Sequence, residues 1–309
     1  MSKFYKHKTN SKVYYISILK RLYPEIVINK IKKVHGYDSV VLIINQNRLF
    51  KIPQRKDVID QYLLEEKIYP FIRNQCSIEV PRILEIRKGW QKKFDEFVVE
   101  YEIMRGNHLT LEIEKNNFSD LVFKNIGQQI GKYLSQLHSL DIESLINLGI
   151  TKFDQKKWHK EYDFVKENCF ALWNDKQQEF VDKLYKDFLK IWDLQSFSPV
   201  LNHGDLGNWH IFSDKQSIIG FIDWGGIKID DPAFDIKWHE SDNNYDKIIG
   251  EEIINQYKKN HKIDPYFFAR TYFYKKRSAV SKFIKGIKFN DNQRIQDGYK
   301  LLHKTMKNG

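Results

Sequence analysis

Acidic and histidine side chains are concentrated between residues 203 and 235. The stretch HGDLGNWHIF begins at His203 and contains Asp205 and His210, and Asp223 follows in IDW. A carboxylate can accept a hydrogen bond from a hydroxyl group and take its proton, and carboxylate oxygens are favoured ligands of Mg²⁺. The spacing therefore predicts a loop at which Asp205 binds the hydroxyl group of a substrate close to a divalent ion.

The other polar residues of this set have structural alternatives. We expect His203 to support the loop through backbone hydrogen bonds, and Asp235 to be a structural acid at a helix start, whereas Asp231 fits either role. His210 is either a metal ligand or a turn histidine that bonds to backbone. Asp223 follows the apolar run SIIGFI, so its carboxylate is predicted at a strand end, where it can bridge Mg²⁺ to phosphate oxygens.

Phosphoryl transfer from a nucleotide also requires a cation at the phosphates and an acid that holds this cation. Lys51 alternates with apolar residues in LFKIP, a predicted strand, where by itself it is typical of an edge-strand lysine with its amine in water. Glu65 lies in the next predicted helix, and apolar side chains three, four and seven positions later place it on the apolar face of that helix. Glu66 points about 100° away from this face around the helix axis. We therefore predict a Lys51–Glu65 ion pair, with Glu66 as the less favoured partner.

Two further segments are candidates for nucleotide binding. Gly36 precedes the first strand of a predicted hairpin, and its backbone, with that of Asp38 and Ser39, is predicted either to turn over the phosphates or to form an ordinary loop. The predicted strand VEYEIMRG offers backbone groups near Glu102 and Met104 to a purine edge.

The elements that must position these residues indicate an α+β protein. Residues 1–105 are predicted to form a small nucleotide-binding lobe, and residues 106–309 a mainly helical lobe with a catalytic segment (199–235) and substrate-binding helices (236–309). Helices are predicted over 11–24, 57–72, 119–140 and 176–194, and strands over 37–45, 48–53 and 96–104.

The composition excludes several classes of protein. With 41% apolar and 15% aromatic residues, the chain of 309 residues is not disordered. No run approaches the roughly 18–20 apolar residues of a membrane span, and the N-terminus lacks the apolar core of a secretory signal. Cys76 and Cys169 have no CxxC spacing, which indicates reduced thiols in a cytoplasmic protein.

The net charge of +11 fits a nucleic acid, a smaller polyanion such as a nucleotide, or a lysine-rich surface without a partner. Because no RNP-like aromatic motif, zinc-finger spacing or short basic recognition helix is present, we expect neither nucleic acid nor membrane as a partner.

The motifs together resemble those of the antibiotic phosphotransferases, the aminoglycoside phosphotransferase family. HGDLGNWHIF and GFIDWGGIKIDDPAFD resemble its signature, and FKIP, EEKIYPFI, VEYEIMRG and YLSQLHSL match its earlier landmarks in order, over roughly residues 11–240. The chain is most similar to the aminoglycoside 2″-phosphotransferases, and then to the macrolide phosphotransferases. The resemblance implies a two-lobed, protein-kinase-like fold with an antiparallel sheet in the small lobe, ATP or GTP as donor, Mg²⁺, an O-phosphorylated small molecule, and a monomer.

The histidine at position 210 departs from the commonest family pattern. Most members have asparagine there as a Mg²⁺ ligand, whereas the 2″-enzymes and macrolide kinases commonly have histidine. The resemblance thus implies that His210 and Asp223 hold Mg²⁺, with His210 bound either directly or through a water.

The acceptor is the least determined part of the prediction. In HESDNNYDKIIGEE, Glu240 and Asp242 are candidates to bind the amines of an aminoglycoside, although such runs are also typical of solvated helix faces. The basic, aromatic segment 274–289 either fits a neutral or acidic acceptor or buries its aromatic side chains and leaves its lysines in solvent. A macrolide or another metabolite is therefore the alternative acceptor. A nucleotide-binding pseudokinase or basic interaction module is the non-enzymatic alternative, and either would be expected to lack Lys51, Asp205 or Asp223.

Overall fold

The computed structural model describes residues 11–36, 38–89, 96–194, 197–237 and 243–307. Its described parts form two compact units, each made of several chain segments. The first unit comprises Met1–Asn117, Glu143–Ile150 and Asp205–Gly225, and the second comprises Phe118–Ile142, Thr151–Gly204 and Gly226–Gly309. The predicted catalytic segment is therefore divided between the units, and the lobe boundary at residue 105 stays a prediction.

The first unit contains an antiparallel sheet of five strands in the order β1-β2-β3-β5-β4. The strands are β1 (Ile31–His35), β2 (Ser39–Ile44), β3 (Arg48–Pro53), β4 (Ile83–Lys88) and β5 (Phe97–Tyr101). The predicted hairpin is confirmed, and Asn45 and Gln46 make its turn with φ of 50° and 66°. Positive φ at both central residues matches the right-handed twist of the flanking strands.

Two helices of this unit carry apolar faces that follow from their sequences. Helix α1 (Lys12–Leu22) ends before Pro24, and its Tyr15 and Leu19 join a buried cluster with side chains of β2 and β3. Helix α2 (Asp57–Gln75) buries residues at helical spacing, including Glu65, which is 3% exposed, whereas Glu66 is exposed. The predicted inward orientation of Glu65 is thus confirmed.

A second sheet in this unit carries the end of the predicted catalytic segment. It contains β6 (Asn107–His108), β8 (Ile211–Asp214) and β9 (Ser217–Phe221), in the order β6-β8-β9. The backbone of Glu79 pairs with β9 through hydrogen bonds to Ile219 O (3.2 Å) and from Phe221 N (3.1 Å). A Cβ at Gly220 would collide with the carbonyl of Glu79, so this approach requires glycine.

The second unit is mainly helical, and β7 (Val200–Asn202) and β10 (Lys228–Asp230) form an antiparallel pair within it. The remaining helices of the chain, in order, are α3 (Leu109–Lys115), α4 (Asp120–Leu137), α5 (Ile142–Asn147), α6 (Lys157–Asn168), α7 (Asp175–Trp192), α8 (Asn244–Tyr257), α9 (Phe267–Phe289) and α10 (Asn292–Lys307). Helices α4 and α8 pack together, as do α9 and α10. The predicted α+β class is confirmed. Within the described ranges, every helix is too short or too polar to cross a membrane.

Candidate active site

The imidazole of His210 faces both carboxylates that the sequence places in one site. His210 Nδ1 lies 3.9 Å from Asp205 Oδ2, and His210 Nε2 lies 3.6 Å from Asp223 Oδ2. The side chains of Asp205 and Asp223 are 66% and 52% exposed, so a substrate can reach them. The structure thus brings together three residues of which the first and last are 18 positions apart in the chain.

A backbone contact determines which nitrogen of His210 carries the proton. His210 Nδ1 lies 2.5 Å from the carbonyl oxygen of Asp205, and this acceptor requires Nδ1–H as the donor in the neutral ring. The lone pair is then on Nε2, the nitrogen that faces Asp223. Histidines that bind metals use this arrangement, in which one ring N–H donates to a carbonyl and the other nitrogen coordinates.

The local backbone explains how the three side chains are positioned. His210 N donates to Gly207 O (2.8 Å), which closes a tight turn, and Ile222 N donates to His210 O (2.9 Å). Asp223 follows β9 with φ of 63°, a left-handed conformation that is costly for a residue with a Cβ. Such strain is typical of functional sites, where the surrounding structure maintains it.

Asp223 offers a carboxylate oxygen, the ligand type that Mg²⁺ favours, whereas the imidazole nitrogen of His210 fits Mg²⁺ either as a direct ligand or as a partner of a metal-bound water. Mg²⁺ takes ligands at about 2.1 Å in octahedral geometry, so adjacent ligands lie about 3 Å apart, close to the separation of His210 Nε2 and Asp223 Oδ2. Among the described residues, no group of three or more histidine, cysteine and acidic side chains forms a metal cage.

Asp235 supports the backbone that leads into Asp205. It is fully buried, and its carboxylate accepts hydrogen bonds from His203 N (2.6 Å) and Gly204 N (2.9 Å). Burial alone would raise the pKa of Asp235, but His138, His203 and the backbone N–H of Gly204 together lower the pKa to about 2. The carboxylate is therefore ionised, and its contacts agree with the structural role predicted for His203 and Asp235.

The predicted position of Asp235 at a helix start is wrong. A 3₁₀ turn occupies Pro232–Phe234, and Asp231 caps it by accepting a hydrogen bond from Ala233 N (3.0 Å), whereas Asp235 follows the turn. Asp231 is also fully buried and accepts from Arg270 Nε (2.6 Å) and the Tyr274 hydroxyl (2.7 Å). These contacts resolve the alternatives for Asp231 in favour of a structural role.

Gly204 is required by the shape of the same loop. Its φ is +83°, and a Cβ at this position would collide with the carbonyl oxygen of Gly226. Both the conformation and the space therefore exclude any larger residue in the middle of HGD.

His138 belongs to this arrangement but was not singled out from the sequence. It is buried at the end of α4, with Nε2 3.5 Å from Asp235 Oδ2 and Nδ1 2.9 Å from the Tyr257 hydroxyl. The available signal was a histidine among apolar residues in YLSQLHSL, where a buried polar ring must have partners.

Among the residues predicted to bind the nucleotide, Lys51 and Glu65 do not form a direct ion pair. No contact within 4.0 Å joins these two side chains, and Glu65 accepts hydrogen bonds from Gln61 Nε2 (2.7 Å) and the Tyr101 hydroxyl (2.9 Å). The ammonium group of Lys51 instead lies 5.1 Å from the centroid of the Tyr101 ring. The sequence correctly indicated a buried Glu65 that needs partners, but neutral donors, Gln61, Tyr101 and Tyr69, supply them.

The segment around Gly36 forms a closed turn. Gly36 N donates to Ser39 O (3.0 Å), and Gln54 Nε2 donates to Gly36 O (2.6 Å). The hydroxyl group of Ser39 is hydrogen-bonded to that of Tyr62, and the residue is buried. Phosphate binding by this turn stays a prediction.

The other predicted binding residues are placed as follows. Glu102 and Met104 line a cavity of about 450 Å³ together with Arg73, Arg105 and neighbouring residues, and Glu102 N donates to Arg82 O (2.9 Å). Their contact with a purine stays a prediction. Glu240 and Asp242 lie outside the described residues.

Comparison with known proteins identifies the family. Residues 31–266 match the model of the phosphotransferase enzyme family. Among solved structures, the GDP and kanamycin complex of APH(2")-IIia has a TM-score of 0.84 and 19% identity, over 96% of this chain and 100% of that chain.

Two further structures are similar over nearly their whole length. The gentamicin–APH(2")-IIa complex has a TM-score of 0.72 and 17% identity, over 95% of this chain and 96% of that chain. The macrolide 2'-phosphotransferase MphH from Brachybacterium faecium has a TM-score of 0.71 and 15% identity, over 93% and 97%. The predicted kinase-like fold is confirmed, as is the order of resemblance, with aminoglycoside 2″-phosphotransferases before macrolide phosphotransferases.

Proposed function

This chain belongs to the phosphotransferase enzyme family, and we propose that it transfers the terminal phosphoryl group of ATP or GTP to a hydroxyl group of a small molecule, with an aminoglycoside as the first candidate. One observation carries the proposal: Asp205 and Asp223 face the two nitrogens of one imidazole, that of His210. This arrangement supports the proposal because phosphoryl transfer requires an acceptor hydroxyl close to a phosphate-bound cation.

In this proposal Asp205 orients the acceptor hydroxyl and takes its proton. Its carboxylate is exposed, and its own carbonyl oxygen is bound to His210, so its position depends on the turn around Gly207. Because the transition state is loose, orientation contributes more than basicity. The chain's backbone thus fixes the one group that must point at the acceptor.

Asp223 and His210 are the residues that would hold Mg²⁺, Asp223 through a carboxylate oxygen and His210 through Nε2, either directly or through a bound water. The ion, when bound, neutralises the charge of the phosphate oxygens. The protein contributes the separation of these two donors and the contact between Nδ1 and the carbonyl oxygen of Asp205, which orients the ring so that Nε2 faces Asp223.

Substitution of His210 tests the metal site. We expect His210→Ala to raise the Mg²⁺ concentration for half-maximal activity by at least about tenfold, because one donor and its orientation are lost, whereas His210→Asn retains an oxygen donor and changes it by less than about threefold. Titration of Mn²⁺ into the nucleotide complex, followed by electron paramagnetic resonance, measures metal binding independently of turnover. Equal Mg²⁺ requirements in wild type and His210→Ala would contradict the assignment.

Lys51 is assigned to the nucleotide phosphates. We expect Lys51→Ala to raise the nucleotide KM by about tenfold or more, because a charge-assisted contact to phosphate is removed. Lys88→Ala is the matched control, since its ammonium group lies 5.4 Å from the Phe97 ring in the same sheet. An unchanged KM for Lys51→Ala, or an equal change in the control, would reject the phosphate contact.

The acceptor class rests on the similar structures, which include complexes of related enzymes with kanamycin and gentamicin. The alternative acceptor is a macrolide or another metabolite hydroxyl, which the similarity to MphH supports. Incubation of aminoglycosides, macrolides and sugars with Mg²⁺ and ATP or GTP, followed by measurement of nucleoside diphosphate release and by mass spectrometry of the acceptor, decides between them. Nucleotide binding without phosphorylation of any acceptor would favour a pseudokinase.

The cytoplasmic location, the monomeric state and the lack of nucleic-acid and membrane partners stay predictions. Each follows from the sequence features described above.

A further inference from the structure

A cavity of about 450 Å³ lies beside the segment that follows β5. Its walls are formed by the C-terminal end of α2, by residues 76–82 between α2 and β4, and by residues 102–105 after β5. All of these segments belong to the first unit. Because sites for small molecules typically have volumes of about 300–1,000 Å³, the cavity is large enough for a ligand of its own.

The cavity lies on the β4 side of β5, whereas Lys51, which is assigned to the nucleotide phosphates, lies on β3. The last residue of β5, Tyr101, pairs with β4 on one side and with β3 on the other. Glu102 N then donates to Arg82 O (2.9 Å), the residue that directly precedes β4. Among the described residues, none from β1, β2 or β3 lines the cavity. An occupant would therefore not take the place of the phosphates.

Arg73 brings a positive charge to this cavity without an acid beside it. Its guanidinium group donates to Pro81 O (2.9 Å), and among the described residues no carboxylate lies within 4.0 Å of it. The side chain is half-buried, and burial lowers the pKa of Arg73, as does the nearby charge of Arg82, while Glu102 acts in the opposite direction. An anion close to both guanidinium groups would offset their repulsion.

The two acids of the cavity leave this charge uncompensated. Glu102 pairs with Arg82 at 3.3 Å, and Glu79 pairs with Arg105 at 3.8 Å. All four side chains are more than half exposed, so solvent screens both pairs and they contribute little. The lining therefore has an excess of positive charge, and Arg73 is its least exposed cation.

Apolar side chains supply much of the remaining wall, including Ile78, Val80 and Met104. Guanidinium groups bind the oxygen atoms of carboxylates and phosphates through charge-assisted hydrogen bonds. We propose that this cavity is a binding site, separate from that of the nucleotide, for a small molecule that carries one anionic group on an apolar body. The anionic group contacts Arg73 and Arg82, and the apolar body packs against the apolar wall.

The fluorescent probe 8-anilinonaphthalene-1-sulfonate tests this proposal, because it carries one anionic group on joined aromatic rings. We expect saturable binding to the full chain with a Kd below about 100 μM, weakened by added salt. Titration is repeated with saturating ATP or GTP present, and the Kd for the probe should stay within about twofold. Displacement of the probe by either nucleotide would place the cavity in the nucleotide site and overturn the proposal.

Variants of opposite charge change give effects of opposite sign. Arg73→Gln and Arg82→Gln each remove a cation, and we expect each to raise the Kd for the probe at least about threefold. Glu79→Gln removes an acid, and it should lower the Kd at least about twofold. The main chain of Glu79 makes its contact to β9, so this contact is retained. Should Arg73→Gln fail to fold because it loses the hydrogen bond to Pro81, the exposed Arg82 decides.

Arg21→Gln is the matched control, because it removes an exposed arginine of the same unit that pairs with Glu96 at 2.8 Å outside the cavity. We expect its Kd for the probe to stay within about twofold of wild type. An equal rise in this control, a rise of less than threefold in both cavity arginine variants, or a Kd that does not fall in Glu79→Gln would overturn the site. The expected pattern in a chain without phosphotransferase activity would support the site and contradict the proposed function instead.

Discussion

Asp205→Ala is expected to reduce turnover by about 10³-fold or more while the affinity for nucleotide stays within about threefold of wild type. The variant loses the carboxylate that orients the acceptor hydroxyl and takes its proton. Because this side chain is 66% exposed, its removal costs little stability, so the loss isolates the chemical step. Single-turnover phosphorylation of the acceptor and titration of a fluorescent nucleotide measure the two quantities separately.

Two further variants complete this experiment. Asp205→Asn keeps the size of the side chain but cannot accept a proton as a carboxylate does, so we expect a loss comparable to that of Asp205→Ala. Asp214→Ala removes another exposed acid from the same segment of the chain, at the end of β8, and should leave turnover unchanged. Near wild-type turnover in either Asp205 variant would exclude this residue from the mechanism.

Asp235→Ala is expected to have the largest effect on stability. The substitution removes a buried ionised carboxylate and leaves the backbone N–H groups of His203 and Gly204 without their acceptor. Breaking a buried charged contact of this kind costs about 3–5 kcal/mol. Urea unfolding at neutral pH measures this loss, and turnover should fall as well, because Asp205 follows Gly204 directly.

The contribution of Asp235 depends on pH with a definite sign. Its pKa is lowered from 3.8 to about 2 in the folded protein, so folding favours the ionised form. This shift contributes about 2 kcal/mol to the free energy of unfolding. The contribution is fully present above the pKa of Asp235 in the unfolded chain, and it is lost as the pH falls through the pKa of Asp235 in the folded protein. The difference in unfolding free energy between wild type and Asp235→Ala should therefore narrow between about pH 5 and pH 2.

An exposed acid provides the control for this pH dependence. Asp187 on α7 has a pKa lowered by hydrogen bonding to Lys183, but both side chains are exposed, so solvent screens their interaction. Asp187→Ala should change stability little at any pH in this range. A difference for Asp235→Ala that stays constant from pH 5 to pH 2 would contradict the role assigned to its charge.

Local patterns predicted the elements whose burial alternates regularly. The hairpin of β2 and β3 and the inward orientation of Glu65 follow from periodicity in short windows of sequence. Strands β1 and β4 were not predicted, because they lie at the edges of the five-stranded sheet and none of their residues is buried. An edge strand is defined by its single neighbour, which the local sequence does not contain.

The prediction of the site grouped residues that are close together in the sequence. It missed contacts between residues that are far apart in the sequence. Asp205, His210 and Asp223 were correctly grouped because motif spacing indicates a shared loop and strand end. The partners of Glu65 include Tyr101, 36 positions away, and those of Asp235 include His138, at the end of another helix. Which side chain satisfies a buried charge depends on tertiary packing, so the sequence indicated that a partner was required without identifying it.

The pairing of Glu79 with β9 limits how this protein can vary. Main-chain atoms make both hydrogen bonds, so many side chains are compatible with position 79. An insertion or deletion between α2 and β4 would instead shift the register of this contact and displace the end of β9, which precedes Asp223. The length of this connection is therefore under tighter constraint than its composition, although it contains none of the residues assigned to the chemistry.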